Sequence, residues 1–368
     1  MLEQQKKFDL LVMIGRFRPF HLGHKHVVDE ALKRAHNVLI LVGSANRPRT
    51  FKNPWTFDEV YQMIHSVYVS DKTDGGRISV QPLDDWMHDN DFRWLMNVQR
   101  AVATEEASIN RWRGTETKMR VGLVGFSKDH TSYYLKKFPQ WESLDVGPYK
   151  HEGKIVNATD IRKNLIEDNA GIFMSQLPTE VAHWLYNWSF EDKNQKIIAD
   201  IQESVAFAKK YKADHKYVGG QPYNAIHTTT DSVFIQSGHV LLIRRKFNPG
   251  KGLWALPGGF AHEFESLSET SKRESKEETK IKLSREVIDL SFRFKHVFSD
   301  PNRSDDRGRI ITHAYLYLLN DRQQLVEVEA ADDAAEAKWV PLGLLNPNEI
   351  YSDHYFIVHK MLDMIPCD

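Results

Sequence analysis

Residues 14–24 read Ile14-Gly15-Arg16-Phe17-Arg18-Pro19-Phe20-His21-Leu22-Gly23-His24. An apolar run, residues 10–14, leads in. Val27, Val28, Ala31 and Leu32 follow at helical spacing. A strand, a glycine-containing loop and a helix start together make an anion site. The first helical N–H groups lack partners and the helix dipole favours negative charge there. The loop adds Arg16, Arg18, His21 and His24, and we read it as a cradle for the phosphates of a nucleoside triphosphate. Two histidines three apart could instead share a metal, but no Cys, Asp or Glu sits close enough in sequence to complete the set. They could also be ordinary loop histidines.

Outward from this loop, β-rich runs alternate with helical patterns up to about residue 190. Strands are expected at 8–14, 38–42, 78–82 and 119–125. Helices are expected at 25–35, 56–68 and 92–104, with a last one beginning near Thr159. Thr56 with Glu59 three residues on reads as a capping box. Strands alternating with helices imply an α/β domain with a parallel sheet and ligands at the carboxyl ends of its strands. Gly15, Gly43 and Gly125 sit at such ends. Residues 191–216 are polar and charged, a linker or connecting helix between a domain at 1–190 and another at 217–368. Beyond them the pattern changes to α+β. Strands are expected at 225–235 and 239–245 around Ser237-Gly238, a hairpin signal, and again at 292–297 and 310–318.

At 368 residues, two domains are the expectation. Hydrophobic content of 41% with 27% charged residues fits a soluble globular protein. A net charge of −1 gives no bulk attraction to nucleic acid or membrane. No apolar run approaches the ~20 residues of a membrane span. One cysteine, Cys367, excludes an internal disulfide framework and suits a reducing, cytoplasmic setting.

The first domain resembles the HxGH nucleotidyltransferases, in particular nicotinamide-mononucleotide (NMN) adenylyltransferases of the archaeal type. Three more segments carry the likeness: Gly43-Ser44-Ala45 with Asn53-Pro54-Trp55-Thr56, Gly125-Phe126-Ser127-Lys128-Asp129, and Asn157-Ala158-Thr159-Asp160-Ile161-Arg162. The last departs from the family's late Ser/Thr-x-x-Arg pattern at Asn157-Ala158. The resemblance implies a Rossmann-like fold and adenylyl transfer, with ATP as a substrate. It points to His21, His24 and Arg162 as catalytic. Gly15, Arg16, Phe17, Gly43, Ser44, Gly125, Lys128, Asp129 and Thr159 are implied as nucleotide-binding. Thr159 is expected to cap its helix and place Arg162 in the first turn. The aromatic, acidic stretch Asp84, Asp85, Trp86, Asp89 and Trp94 is a candidate nicotinamide pocket, since an aromatic face attracts a pyridinium ring. Trp94 also stands at helical spacing with Val98 and could be core.

In the second domain Gly259 is followed after five residues by Glu265 and after seven more by Arg273-Glu274; Glu277-Glu278 and Ile281 complete the run. Glu274, Glu277 and Glu278 at i, i+3 and i+4 put three carboxylates on one helix face. Hard divalent cations relieve their repulsion, so Mg²⁺ or Mn²⁺ is the expected cofactor. The run resembles the Nudix box. Gly259, Glu274, Glu277 and Glu278 are implied at the metal, with Arg273 and Glu278 catalytic. Ser275 replaces an aliphatic residue and is expected to weaken an apolar contact. Lys280 replaces a glycine, and a left-handed conformation there costs on the order of 1 kcal/mol.

Upstream, Arg244-Arg245 is a candidate phosphate contact. Asp332, Asp333 and Glu336 are candidate bases. Phe234, Arg244 and the polar loop 299–307, which has the donors and acceptors to grip a ribose, are candidates for reading the substrate.

The domain order is similar to bifunctional bacterial NMN adenylyltransferase/Nudix hydrolases. The likeness implies NAD synthesis and cleavage of ADP-ribose, with small-molecule substrates (ATP, NMN, ADP-ribose), no nucleic acid and no membrane. A homo-oligomer stays open. Two rivals also stay open: a Nudix domain that only senses ADP-ribose or NAD, and a transferase acting on another phosphate compound such as phosphopantetheine.

Overall fold

The computed structural model describes residues 6–68, 75–85, 91–125, 137–168, 171–214, 226–301, 303–305, 308–322 and 324–366. Lys128, Asp129, Trp86, Asp89 and Cys367 therefore lie outside the described residues. The described chain divides into two compact units that meet between Gln202 and Glu203.

The first unit contains β1 (Phe8–Gly15), α1 (Leu22–Arg34), β2 (Ala35–Val42), α2 (Phe57–Tyr68), β3 (Ile78–Pro82), α3 (Asp91–Arg113), β4 (Val121–Gly125), β5 (Glu142–Asp145), a small hairpin of β6 (Lys150–His151) and β7 (Lys154–Ile155), α4 (Ala158–Lys163) and α5 (Thr179–Phe190). Its five-stranded sheet has the order β3-β2-β1-β4-β5, every pair parallel. Such a strand order reverses direction beside β1, so the carboxyl ends of β1 and β4 flank a crevice. Leu10, Val12, Leu39, Leu41 and Leu123 join Val98 and Val102 of α3 in one core. Helices on a parallel sheet bury its strands on both sides, which is why β1 and β2 read as near-continuous apolar runs.

One helix is longer than expected, for a readable reason. Helix α3 runs nine residues past Thr104. Its polar continuation carries no stop until Gly114, which has φ +65° and closes a Schellman turn through Thr115 N–H to the Asn110 carbonyl (3.0 Å). Of the two alternatives for residues 191–216, linker or connecting helix, the chain takes the helix, α6 (Asp192–Asp214), with Ile201 and Ala208 buried. Its amide-rich, charged surface hid those two apolar positions.

The second unit contains β8 (Ile226–Gln236), β9 (His239–Arg245), β10 (Trp254–Ala255), β11 (Gly258–Phe260), α7 (Leu267–Thr279), α8 (Arg285–Ser291), β12 (Phe292–Phe298), β13 (Ser304–Asp305), β14 (Gly308–Leu318), β15 (Ala334–Pro341) and α9 (His354–Asp363). Its eight strands form one mixed sheet: β8 and β14 run parallel and the other pairs antiparallel. Ser237 (φ +47°) and Gly238 (φ +75°) make the tight turn between β8 and β9.

Helix α7 has an unusual underside. Thr270, Ser271, Ser275 and Thr279 are all fully buried. Ser275 Oγ donates to the Ser271 carbonyl (2.6 Å), and Ser271 Oγ lies 2.6 Å from Ser232 Oγ and 3.0 Å from the Tyr317 hydroxyl. Ser275 therefore belongs to a satisfied hydroxyl ladder rather than weakening an apolar contact. Lys280 caps α7 in the left-handed conformation (φ +41°, ψ +34°), with its Nζ 2.9 Å from Glu329. Replacing Lys280 with Gly relieves strain of about 1 kcal/mol. Differential scanning calorimetry should show the second unit's transition moving up; an unchanged or lower transition contradicts this.

Candidate active sites

In the first unit the His-x-Gly-His loop is locked by its own side chains. His21 is the N-cap of α1: its Nδ1 accepts from Gly23 N (3.1 Å) and His24 N (3.3 Å), while His24 Nδ1 accepts from His21 N (3.3 Å). This is a capping box built from two imidazoles, whose rings stack at 3.6 Å. A ring nitrogen that accepts from N–H carries no proton, so each neutral ring keeps its hydrogen on Nε2. Phe17 (4.9 Å) and Phe20 (5.8 Å) close around His24. Burial pushes its pKa down to about 3, against a weaker pull from the Pro19 carbonyl. His24 is thus a neutral donor, and the positive charge at this crevice comes from arginines. Stability tied to the neutral ring is present above the ordinary histidine range near 6.5 and lost as pH falls toward 3. In a ¹⁵N-edited NMR titration, the His24 imidazole should show no midpoint between pH 5 and 8. A midpoint near 6.5 contradicts the geometry.

Arg18 spends most of its donors on the backbone. It is buried, and its guanidinium donates to the carbonyls of Trp55 (2.8 Å), Arg16 (3.2 Å), Gly43 (2.7 Å) and Ser44 (3.2 Å), tying the loops after β1 and β2 together. Arg162, only 5% exposed, donates to the Arg18 carbonyl (2.7 Å) and to Thr159 Oγ1 (3.1 Å), and its Nε has no partner. Burial first, then Arg16, lowers its pKa to about 10. Burial and Arg16 likewise lower Arg18 to about 10, with Asp85 opposing. Arg16 is exposed at the same place. Among the described residues no ion pair joins Arg16, Arg18 or Arg162 to a carboxylate. A cationic cluster desolvated in this way is what an anionic ligand would neutralise.

Several expected contacts have other roles. Asn157, not Thr159, caps α4, with Oδ1 accepting from Thr159 N (2.9 Å); Asn is as good a cap as Ser, which accounts for the departure at this position. The Phe17 ring is sealed at 1% exposure and folds over Gly15, where any Cβ would lie 2.9 Å from it. Asp85 gives one carboxylate oxygen to Ser44 N (3.1 Å) and the other to Ser44 Oγ (2.5 Å), fixing Ser44 at φ +55°. Trp94 packs on the sheet core beside Phe138. Gly43 N donates to the Gly15 carbonyl (2.8 Å) and Gly125 ends β4, so both stand at the crevice as expected. The sequence also concealed Glu59, which clamps Arg49 through both oxygens (2.7 and 3.0 Å) besides capping α2.

In the second unit Arg273 organises the acidic residues. It grips Glu265 through Nε (3.0 Å) and NH2 (2.6 Å), and its NH1 reaches Glu274 and Glu277, each at 2.8 Å. This holds the Glu265 carboxyl down to about 2. A Cβ on Gly259 would meet the Glu274 carboxyl at 2.5 Å, so any side chain there would displace that carboxyl. Glu278 is 4% exposed; its Oε2 accepts from Gly258 N (2.8 Å). Burial, followed by repulsion from Glu274, pushes its carboxyl well above the ordinary range; burial also raises Glu274.

Among the described residues no group of three His, Cys, Asp or Glu converges ready to hold a metal. Arg273 engages Glu274 and Glu277. The donor set nevertheless fits a hard divalent cation. It is all oxygen, and it includes two carboxyls whose ionised forms are disfavoured until a cation arrives.

The candidates for reading the substrate have protein partners of their own. Phe234 is buried, stacked on Tyr317 at 4.4 Å. Arg303 is buried in a salt bridge with Asp353. Arg244 lies over Trp254 (5.0 Å) and 3.7 Å from Glu336, and Arg245 lies over Tyr351 (4.4 Å) with Nε on the Pro249 carbonyl. Arg245 and Asp333 both act electrostatically on Glu278, Arg245 favouring its ionised form and Asp333 opposing it.

A Rossmann-like unit with cations at its HxGH crevice, followed by a mixed sheet carrying an Arg-centred carboxylate helix, defines a nucleotidyltransferase joined to a Nudix hydrolase. Residues 12–164 match the cytidylyltransferase-like family and residues 226–361 the NUDIX domain. A nicotinamide/nicotinic acid mononucleotide adenylyltransferase of Acinetobacter baylyi is 37% identical over 164 residues, covering 41% of this chain and 80% of that protein. An ADP-ribose pyrophosphatase of Methanocaldococcus jannaschii is 35% identical over 128 residues, covering 35% of this chain and 68% of that protein. The crystal structure of a bifunctional NMN adenylyltransferase/ADP-ribose pyrophosphatase from Francisella tularensis, complexed with AMP and a manganese ion, superposes with a TM-score of 0.84. It is 30% identical and covers 97% of this chain and 99% of that one. The chain belongs to this family of bifunctional NMN adenylyltransferase/ADP-ribose pyrophosphatases.

Proposed function

We propose that the first unit transfers the adenylyl group of ATP to NMN, giving NAD and pyrophosphate. The second unit cleaves ADP-ribose to AMP and ribose 5-phosphate with Mg²⁺ or Mn²⁺. The observation that carries the transferase reading is the buried Arg162 beside Arg16 and Arg18, whose Nε lacks an acceptor and which has no counter-ion among the described residues. A phosphate oxygen of NMN attacks the α-phosphorus, the bond to the β-phosphate oxygen breaks, and pyrophosphate leaves with the electron pair. The nucleophile is already an anion, so no general base is required. Arg16 and Arg162 neutralise the phosphates and the imidazole loop orients them, so that catalysis is positioning and electrostatics.

In the second unit Gly259, Glu274, Glu277 and Glu278 would hold the divalent cation. When bound, it supplies charge neutralisation to the diphosphate and a more acidic water. Arg273 keeps Glu265, Glu274 and Glu277 in place. The acidic helix binds metal and diphosphate without reading what flanks them. The substrate preference therefore rests on likeness to the named relatives: ADP-ribose ahead of NAD, diadenosine polyphosphates or 8-oxo-dGTP. Small-molecule substrates in a cytoplasmic setting complete the reading. No helix among the described residues is long and apolar enough to cross a membrane.

A substrate panel tests this. ATP is paired with NMN, its nicotinate analogue and phosphopantetheine, and the diphosphates are assayed with Mg²⁺ and with Mn²⁺. NAD formation and an ADP-ribose preference in kcat/KM are expected. A preference for phosphopantetheine, or for a nucleoside triphosphate in the hydrolase, contradicts the corresponding half. ADP-ribose binding without turnover would establish the sensor instead.

A further inference from the structure

Beneath the hydrolase site lies a buried charged cluster that no catalytic role has absorbed. Arg303 Nε donates to Asp353 Oδ2 (2.7 Å) and its NH2 lies 3.3 Å from Asp231 Oδ2, which also accepts from Thr312 Oγ1 (2.7 Å). All four side chains are buried. His354, the first residue of α9, sits against them: its Nε2 is 3.9 Å from Asp231 Oδ1, and its Nδ1 accepts from Leu256 N (2.9 Å). A buried charge network of this kind contributes little to stability by itself, because desolvation offsets the attraction. Its position offers another use.

Leu256 opens the turn that carries Pro257, Gly258 and Gly259. Besides the pairing of β11 with β8, three bonds hold that turn: Leu256 N to His354, Ser232 N to the Pro257 carbonyl (2.8 Å), and Gly258 N to Glu278 Oε2 (2.8 Å). Gly258 pairs with Asp231 across β8 and β11, so closely that a Cβ on Gly258 would lie 3.0 Å from Asp231 Oδ1 and 2.1 Å from the Thr230 carbonyl. Asp231 and His354 therefore set the height of the turn from below, and Arg303 with Asp353 sets Asp231 and the start of α9.

We propose that Arg303, Asp231, Asp353 and His354 are positioning residues for the hydrolase. They fix the Leu256–Gly259 turn and, through its Gly258 amide, the carboxylate of Glu278. The inference rests on the hydrolase reading of this unit, and it replaces the ribose contact expected of the loop that carries Arg303. Outer-shell groups that orient metal ligands typically change affinity or activity by about 10- to 100-fold.

The test uses the full chain with His354→Leu, which removes the acceptor for Leu256 N, and His354→Asn, whose amide oxygen can stand in for Nδ1. Arg303→Lys provides a second route should His354→Leu fold poorly. Hydrolysis of ADP-ribose, Mn²⁺ binding by electron paramagnetic resonance, and NAD formation are measured on each preparation; NAD formation reports intact protein. His354→Leu should lower kcat and weaken Mn²⁺ binding by about 10-fold or more, with KM for ADP-ribose changed less than about threefold. Asn should restore most of both. Arg303→Lys, which keeps the charge and loses the fork, should fall between wild type and Leu. The proposal is overturned if folded His354→Leu keeps wild-type kcat and Mn²⁺ affinity, if Asn is no better than Leu, or if only KM moves. A wild-type chain that binds Mn²⁺ but hydrolyses no ADP-ribose would overturn the hydrolase reading instead, and the Mn²⁺ comparison would still judge the positioning.

Discussion

Arg162→Ala should reduce NAD formation by about 10²- to 10³-fold, the loss typical of removing one preorganised group from a developing charge. The substitution deletes the buried guanidinium whose Nε awaits a partner. It also leaves the Arg18 carbonyl without its 2.7 Å donor, a cost of about 1–3 kcal/mol in stability. Arg162→Lys separates the two effects: it keeps a charge but cannot serve the Arg18 carbonyl, Thr159 and a phosphate at once. Its rate should lie between those of wild type and Ala. Hydrolysis of ADP-ribose in the same preparation should be unchanged. NAD formation by Arg162→Ala within about threefold of wild type contradicts the phosphate role.

Glu278→Gln should lower metal-dependent hydrolysis by at least about 100-fold, beyond what outer-shell changes usually cause, because a neutral amide keeps the shape and loses the charge offered to the cation. Its stability effect has the opposite sign. Burial raises the Glu278 carboxyl above its ordinary range, so its contribution to stability is full below about pH 4.5 and declines as pH rises through the folded value. Metal-free Gln protein should thus melt at or above the wild-type temperature at neutral pH. Mn²⁺ should reverse that order by stabilising wild type alone. Equal stabilisation of both by Mn²⁺ means that Glu278 is not a ligand.

Much of this was legible because spacing encodes it. A parallel sheet needs alternating apolar strands and helices, and the chain from β1 to β4 shows them. The acidic helix α7 declares itself by three carboxylates on one face. Burial of single side chains is set by tertiary partners and is not encoded so locally. Arg18 and Arg162 look alike in sequence, yet one is spent on four carbonyls and the other keeps an open Nε. Phe17 reads as a ligand contact until it is seen folded over Gly15. Arg303 sits in a polar loop that suggested a ribose, while Asp353, fifty residues later, claims it. Gly114 was readable as the end of α3, since a glycine after a helix-forming run is its usual stop.

The central claim is that two electrostatically opposite sites, one cationic and one acidic, act separately on one chain. Arg162→Ala and Glu278→Gln proteins, assayed alone and as an equimolar mixture for NAD and for AMP from ADP-ribose, test it most directly. Each variant should lose one product and keep the other, and the mixture should return both at about half the wild-type rate per chain. Loss of both products in either variant, or a mixture that restores neither, would contradict it.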